Sequence, residues 1–320
     1  MDKSSNKFSY IITLGTTYSG SGAVYDYLSG RGDMFDPLKG IEYQLPQMPN
    51  GLMALEAVAG NAFHPATADY MISEFEKIVN KLGRSKTFWR YGKNYSKMIP
   101  LFQSASEEFL HEISVAKFSM RWHWRRLMDN KTTLMFVLNK FLKRLGYEDK
   151  ISNTRLIVDR EKFVDVAKKF HDKIFLSRSK DRVVILNQAG SGWNPIESTK
   201  YFSNSKILVV TRDPRDQFVE IKHYKKGKSV KDFIHWYNQM QERLKRIKID
   251  NFININFEDF VYKYEKSVIE LCKKLHLDSK IISTYNPELS KNNIGKYKKY
   301  LSDYEIDLFQ KNLSQYFYNK

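Results

Sequence analysis

A P-loop-like α/β architecture, with a mostly parallel sheet flanked by helices on both faces, follows from two features of this 320-residue chain. Short runs of β-branched and aromatic residues recur along it, separated by longer stretches of helical period. Strands alternating with helices pack as a parallel sheet between helical layers. The first strand is also joined to the first helix by a glycine-rich turn, the connection expected at the mouth of such a sheet.

Residues 8–14, Phe-Ser-Tyr-Ile-Ile-Thr-Leu, read as a buried strand. The turn Gly15-Thr16-Thr17-Tyr18-Ser19-Gly20-Ser21-Gly22 follows, then a helical stretch over 23–29 that stops at Gly30. Residues 35–63 are rich in Pro and Gly and read as loop with short helical pieces. Helices are predicted over 67–82, 104–118, 131–145 and 159–171. Three more core strands are predicted over 182–187, 206–211 and 252–257. Helices over 213–224 and 230–246 separate the last two, and one over 261–276 closes the pattern. No repeat, low-complexity tract or linker divides the chain, so a single domain over 1–320 is expected.

Lys and Arg number 53 against 36 Asp and Glu, a formal net charge of +17. That field favours polyanionic partners, and a lysine-rich solvated surface produces the same total. The lysines are scattered, with mild clusters at 222–231 and 296–299. A nucleic-acid reader calls for a continuous basic stripe with aromatic platforms, so no nucleic-acid partner is expected. Cys272 is the sole cysteine and excludes an internal disulfide; it reads as a core filler and fits a reducing compartment. The N-terminus is polar, and no run of about 18 apolar residues occurs, so a cytoplasmic location without a transmembrane segment is expected. No cysteine pair and no His-Glu-x-x-His is present, and no metal is expected.

Glycines let a strand-to-helix turn tighten, and amides at a helix N-terminus attract anions. Gly15 and Gly20 have the spacing of the ATPase loop, but Ser21 replaces its lysine and Gly22 its Ser/Thr. The loop thus loses the charge that holds β/γ-phosphates and the hydroxyl that binds magnesium, which disfavours a kinase. Downstream, the strand over 206–211 ends in Arg212-Asp213-Pro214-Arg215-Asp216. An arginine there faces the crevice where parallel sheets bind ligands, and its planar fork suits a phosphate. Asp213 suits a cap and Pro214 the first helical turn.

Together these segments resemble the two donor-binding elements of the sulfotransferases that use 3′-phosphoadenosine 5′-phosphosulfate (PAPS), and the chain is identified as a divergent, soluble, bacterial-type member of that family. Ser19-Gly20-Ser21-Gly22 is similar to the family's 5′-phosphosulfate loop, usually Lys-Ser-Gly-Thr-Thr. Residues 210–216 are similar to its 3′-phosphate element, Arg-Asn/Asp-Pro-x-Asp. Two further segments agree in order: 255–261, similar to its Tyr-Glu-Asp-Leu stretch, and 295–301, similar to its Gly-x-Trp-Lys element. The resemblance implies the sulfotransferase fold, with a helical and loop acceptor-side insertion around 35–155. It implies transfer of a sulfuryl group from PAPS, without a metal, to a hydroxyl or amine, with a glycan the expected acceptor and polysaccharide modification the expected role. Donor-binding positions carried over are Thr17, Tyr18, Ser19, Gly20, Ser21, Gly22 and Arg212, with Lys291 and Lys296 near the C-terminal element.

Departures are informative. Tyr18 stands where the family has its catalytic lysine, so loop amides, the Ser19 or Ser21 hydroxyl, or Lys39 must serve. The family's phosphate-binding serine falls at Glu220. Its adenine-stacking tryptophan falls near Ala23 or Val24, and Phe257 is a plausible substitute. Glu42 is the first candidate general base, at an offset comparable with the glutamate of carbohydrate-acting members, and His64 the second. His123, within Arg121-Trp122-His123-Trp124-Arg125-Arg126, together with Asn187 and Gln188, are candidate acceptor contacts. A small-molecule kinase with a degenerate loop and an inactive nucleotide-binding relative are the alternative readings.

Overall fold

The computed structural model describes residues 8–60, 64–119, 127, 130–146, 153–157, 160–225 and 229–318. The chain divides into two compact units. The first comprises Met1–Gln47 and Phe175–Lys320, and the second Met48–Ile174.

The first unit is built on four parallel strands: β1 (Tyr10–Gly15), β2 (Val184–Asn187), β3 (Ser205–Thr211) and β4 (Phe252–Asn256), in the order β2-β1-β3-β4. In β1, Tyr10, Ile11, Ile12, Thr13 and Leu14 are all buried, as expected of a central strand covered on both faces. It pairs with β2 from Tyr10↔Val184 to Thr13↔Asn187 and with β3 from Tyr10↔Ser205 to Gly15↔Val210. The four predicted core strands are thus present, parallel as expected, with ends shifted by up to two residues.

Helices surround this sheet: α1 (Ser21–Ser29), α2 (Pro195–Thr199), α3 (Pro214–Lys225), α4 (Val230–Lys245), α5 (Phe257–Tyr262), α6 (Tyr264–Lys274), α7 (Pro287–Lys291), α8 (Tyr297–Tyr300) and α9 (Asp303–Leu313). Val24, Tyr27 and Leu28 of α1 pack with Ile11, Leu208, Val210, Phe260 and Leu275 in one core cluster. Each such side chain contributes about 1.5–3 kcal/mol by leaving water, so this cluster fixes the helix that follows the glycine turn. Cys272 is buried there, with its sulfur 3.2 Å from the Tyr27 hydroxyl, a packing role as expected. The single helix predicted over 261–276 is in fact broken at Lys263 into α5 and α6.

The second unit centres on the helix Pro65–Gly83, whose Phe75 meets Phe109 at 5.6 Å; Phe109 also meets Phe163 and Phe170. The helix predicted over 104–118 ends at Glu112, and Ser114–Ser119 form a strand paired antiparallel with Asn153–Ile157. A partner almost forty residues away overrides the local helical period there, which a single-segment reading misses.

Candidate functional site

All four parallel strands deliver a residue to one pocket just beyond their carboxyl ends: Gly15 and its loop after β1, Gln188 after β2, Arg212 after β3 and Phe257 after β4. That is where open parallel sheets bind ligands. The pocket measures about 730 Å³ and is completed by Glu42, Gln47, Glu220, Ser290 and Asn293.

The loop after β1 is held in an uncommon backbone conformation. Thr17 and Tyr18 have φ of 59° and 54°, which a branched or bulky residue rarely adopts, and Gly20 has φ of 87°. Gln217, fully buried in α3, secures the two strained residues by donating from Nε2 to the Thr16 carbonyl and, at 2.6 Å, to the Thr17 carbonyl. The Thr16 amide donates to Ser19 Oγ at 3.0 Å, so the Ser19 hydroxyl braces the loop from inside. Gln188 ties the loop to β2: its Oε1 accepts from the Gly15 amide at 3.1 Å and its Nε2 donates to Ser21 Oγ at 2.8 Å. These bonds leave α1 starting at Ser21 with its N-terminus at the pocket; the Ala23 amide donates to the Gly20 carbonyl at 3.1 Å, and Ser21 and Gly22 precede it at the end where helix amides lack internal partners.

Gly20 cannot be replaced cheaply. A Cβ there would lie 2.3 Å from the Phe257 ring, in a left-handed conformation besides. Gly20→Ala is expected to lower stability by about 2 kcal/mol or more, read by urea unfolding. An unchanged midpoint would show that Phe257 yields freely.

Arg212 is the electrostatic centre. It is 4% exposed, its Nη1 donates to the Tyr18 carbonyl at 3.0 Å, its Nη2 donates to the Asn293 carbonyl, and its guanidinium lies 5.2 Å from the Phe257 ring centre. Burial pulls its pKa down, opposed by Asp216, Glu220, Glu258 and Asp213, and an arginine remains charged under that pull. Its Nε–H is buried and has no hydrogen-bond partner among the described residues. A buried charged donor of that kind is costly unless a ligand meets it.

Glu220 is ion-paired, accepting from Lys296 Nζ at 2.6 Å, so the pocket wall there is a neutralised pair rather than a bare carboxylate. Asp216 accepts from the amides of Gly295 and Tyr297 at 2.6 and 2.9 Å, which clamps the segment carrying Asn293 against α3.

Glu42 reaches the pocket because its loop is pinned to the sheet edge. Asp36 accepts from Tyr25 Oη at 2.5 Å and from the amides of Leu38 and Lys39, while the Tyr43 amide donates to the Asn187 carbonyl at 2.8 Å. Glu42 Oε2 accepts from Gln44 Nε2 at 2.8 Å.

No family model and no curated protein matches the chain. Solved structures do, among them three sulfotransferases. The chain is similar to sulfotransferase domains. One comes from the curacin biosynthetic pathway, with a TM-score of 0.44, 12% identity, and 96% of this chain and 97% of that one covered. A second comes from the olefin synthase of Synechococcus PCC 7002, with a TM-score of 0.44, 11% identity, and 100% and 98% covered. The third is the sulfotransferase STF9 from Mycobacterium avium, with a TM-score of 0.41, 10% identity, and 97% and 76% covered.

Of the residues singled out from sequence, Thr17, Tyr18, Gly20, Ser21, Gly22, Glu42, Gln188, Arg212, Glu220 and Phe257 line the pocket. Ser19 lies within the loop itself, and Tyr18 stacks on Tyr224 at 5.4 Å. Asn187 sits behind, donating from Nδ2 to the Gly40 carbonyl at 3.2 Å. Lys291 pairs with Glu288 at 2.5 Å, Lys296 with Glu220, and Lys39 is exposed on a left-handed turn. His64 belongs to the second unit, where its Nδ1 accepts from the Ala66 amide at 3.2 Å and caps the helix Pro65–Gly83. His123 lies outside the described residues. Sequence reasoning missed Gln217 and Asn293, and it quoted Glu258 only as part of the segment 255–261, without a role of its own. Gln217 carried a signal in its place in the first turn of the helix after Arg212.

Proposed function

We propose that this chain is a PAPS-dependent sulfotransferase acting on a hydroxyl or amine, with a carbohydrate the favoured acceptor class. The observation that carries this reading is the joint setting of two anion-seeking groups in one pocket: a phosphate loop lacking both the lysine and the magnesium hydroxyl of an ATPase, and a buried Arg212 with an unpaired Nε–H. A phosphosulfate needs amide and guanidinium donors and no bridging metal. The Glu220–Lys296 pair supports the same reading, since the lysine offsets the carboxylate that would otherwise repel a 3′-phosphate near Arg212.

In the proposed reaction an acceptor oxygen attacks sulfur in line with the bond to the bridging phosphate oxygen. The new O–S bond forms as the old one breaks, and the electron pair leaves with adenosine 3′,5′-bisphosphate. Charge grows on that leaving oxygen, where the first-turn amides of α1 and the Ser21 hydroxyl stand in for the family's lysine. The acceptor proton passes to the Glu42 carboxylate, with Gln188 and Gln47 as hydrogen-bonding groups beside it.

Calorimetric titration with adenosine 3′,5′-bisphosphate, without magnesium, tests the donor site. Micromolar binding not matched by Mg-ATP is the expected result, and a preference for Mg-ATP would overturn the reading in favour of a kinase. Glu42→Gln is expected to leave bisphosphate affinity unchanged and to lower sulfuryl transfer by about 10²–10⁴-fold. Tight bisphosphate binding with no turnover on any acceptor would instead mark an inactive relative, in keeping with Tyr18.

A further inference from the structure

The second unit carries an exposed aromatic pair that the pocket chemistry does not use. Phe88 and Trp89 are 90% and 87% exposed and meet edge to face at 4.7 Å. They occupy the tip of a tight turn closed by two backbone bonds, Thr87 N–H to the Arg90 carbonyl at 2.8 Å and Arg90 N–H to the Thr87 carbonyl at 3.3 Å. The base of the turn is fixed as well. The Asn94 amide donates to the Arg84 carbonyl at 2.8 Å, Ser85 Oγ donates to Asn94 Oδ1 at 3.1 Å, and Gly92 lies so close that a Cβ would meet the Arg84 carbonyl. An ordered stalk therefore holds two large apolar rings away from the unit's own core, at the expense of burial they would otherwise gain.

Along the stretch of sequence that carries the tip the charge has one sign. From Lys77 through Ser106 the sequence contains Lys77, Lys81, Arg84, Lys86, Arg90, Lys93 and Lys97 and no Asp or Glu. Arg84, Lys86 and Arg90 are exposed beside the rings. A second element of the same unit repeats the pattern. The helix Asn130–Arg144 contains Lys131, Lys140, Lys143 and Arg144 and no acidic residue. Its Leu134, Val137, Leu138 and Phe141, with Leu145 beyond its end, fall at helical spacing on one face and are all exposed.

We propose that the second unit docks on an anionic lipid surface, the Phe88–Trp89 tip entering the interface between headgroups and acyl chains and the helix Asn130–Arg144 lying in the same interface. Paired aromatic rings suit that depth, lysines and arginines suit acidic headgroups, and an aliphatic helix face needs an apolar phase. Nucleic acid would satisfy the positive charge and leave the aliphatic face in water. The proposal is independent of the donor-site reading.

Co-sedimentation of the full chain with vesicles tests it. Binding is expected to vesicles of phosphatidylglycerol and phosphatidylcholine mixed about one to two, to weaken as salt rises, and to be absent with phosphatidylcholine alone. Phe88→Ser/Trp89→Ser and, separately, Leu134→Ser/Phe141→Ser are each expected to weaken it by about tenfold or more, with unchanged thermal unfolding because the sites are exposed. Trp89→Phe is expected to retain binding and to lose the blue shift of tryptophan emission that vesicles cause in the parent protein. Failure to bind the anionic vesicles, or full binding by both double variants, overturns the proposal. So does a dimer in light scattering that the Phe88/Trp89 variant dissociates without any vesicle binding, which would assign the face to a second copy.

Discussion

Arg212→Ala is expected to lower stability by about 3–5 kcal/mol and to abolish bisphosphate binding, the largest effect of any single substitution in the pocket. The guanidinium holds two carbonyls together, that of Tyr18 in the glycine-rich loop after β1 and that of Asn293 far along the chain. It is also the positive charge around which Asp213, Asp216, Glu220 and Glu258 gather. Removing it takes a buried positive charge from beside Asp216, while Asp213 and Glu220 keep Arg215 and Lys296 as partners, and frees a loop whose Thr17 and Tyr18 are strained. Arg212→Lys separates the two contributions. It restores a charge but not the fork that reaches both carbonyls, so stability is expected to recover in part while bisphosphate affinity stays at least about tenfold below the parent. Urea unfolding read alongside calorimetry checks both. An alanine variant as stable as the parent would show that the carboxylates are held by other means.

What was legible in the sequence was local chemistry. The strand before the loop announces itself by a run of buried β-branched residues, and the loop by glycines at fixed spacing. Arg212 stands out because it ends a strand and precedes Asp-Pro. What was not legible is the closure of these parts on one another. Gln217 donates across some two hundred positions to the carbonyls of Thr16 and Thr17, and nothing near it in sequence names that partner. Lys296 reaches Glu220 in the same way, turning a residue that looked like a departure from the phosphate element into half of an ion pair. His64 illustrates the converse. A histidine before proline attracted a catalytic reading, yet the same position is where a helix needs a cap for its first amides, and the ring serves as one. The amphipathic period over 131–145 marked a helix correctly, but period alone does not tell a face that packs on a core from one left in solvent.

Glu258 offers the second large effect, and it is a pH effect. Its side chain is fully buried beside the start of α3; Oε1 accepts from the Asp213 amide at 2.8 Å, and Oε2 has no partner among the described residues. Burial, only partly opposed by the Asp213 amide and Arg212, pushes its pKa up from 4.5 to about 7. The folded protein therefore holds this proton more tightly than the unfolded chain does. The resulting stabilisation is complete below pH 4.5, declines as pH rises towards 7, and is gone above that, a difference on the order of 3 kcal/mol. Glu258→Gln keeps an oxygen acceptor for the Asp213 amide and removes the titration. The stability of the glutamine variant relative to the parent, measured by urea unfolding at a series of pH values, is expected to rise across that window and level off above it. Taking the difference cancels the other carboxylates, including Glu305, whose pKa is lowered in the fold with Lys222 as its first partner. A difference that stays flat from pH 4.5 to 8 would mean that Glu258 is ionised in the fold at ordinary cost. The charge of Arg212 would then have to reach it more strongly than their arrangement implies.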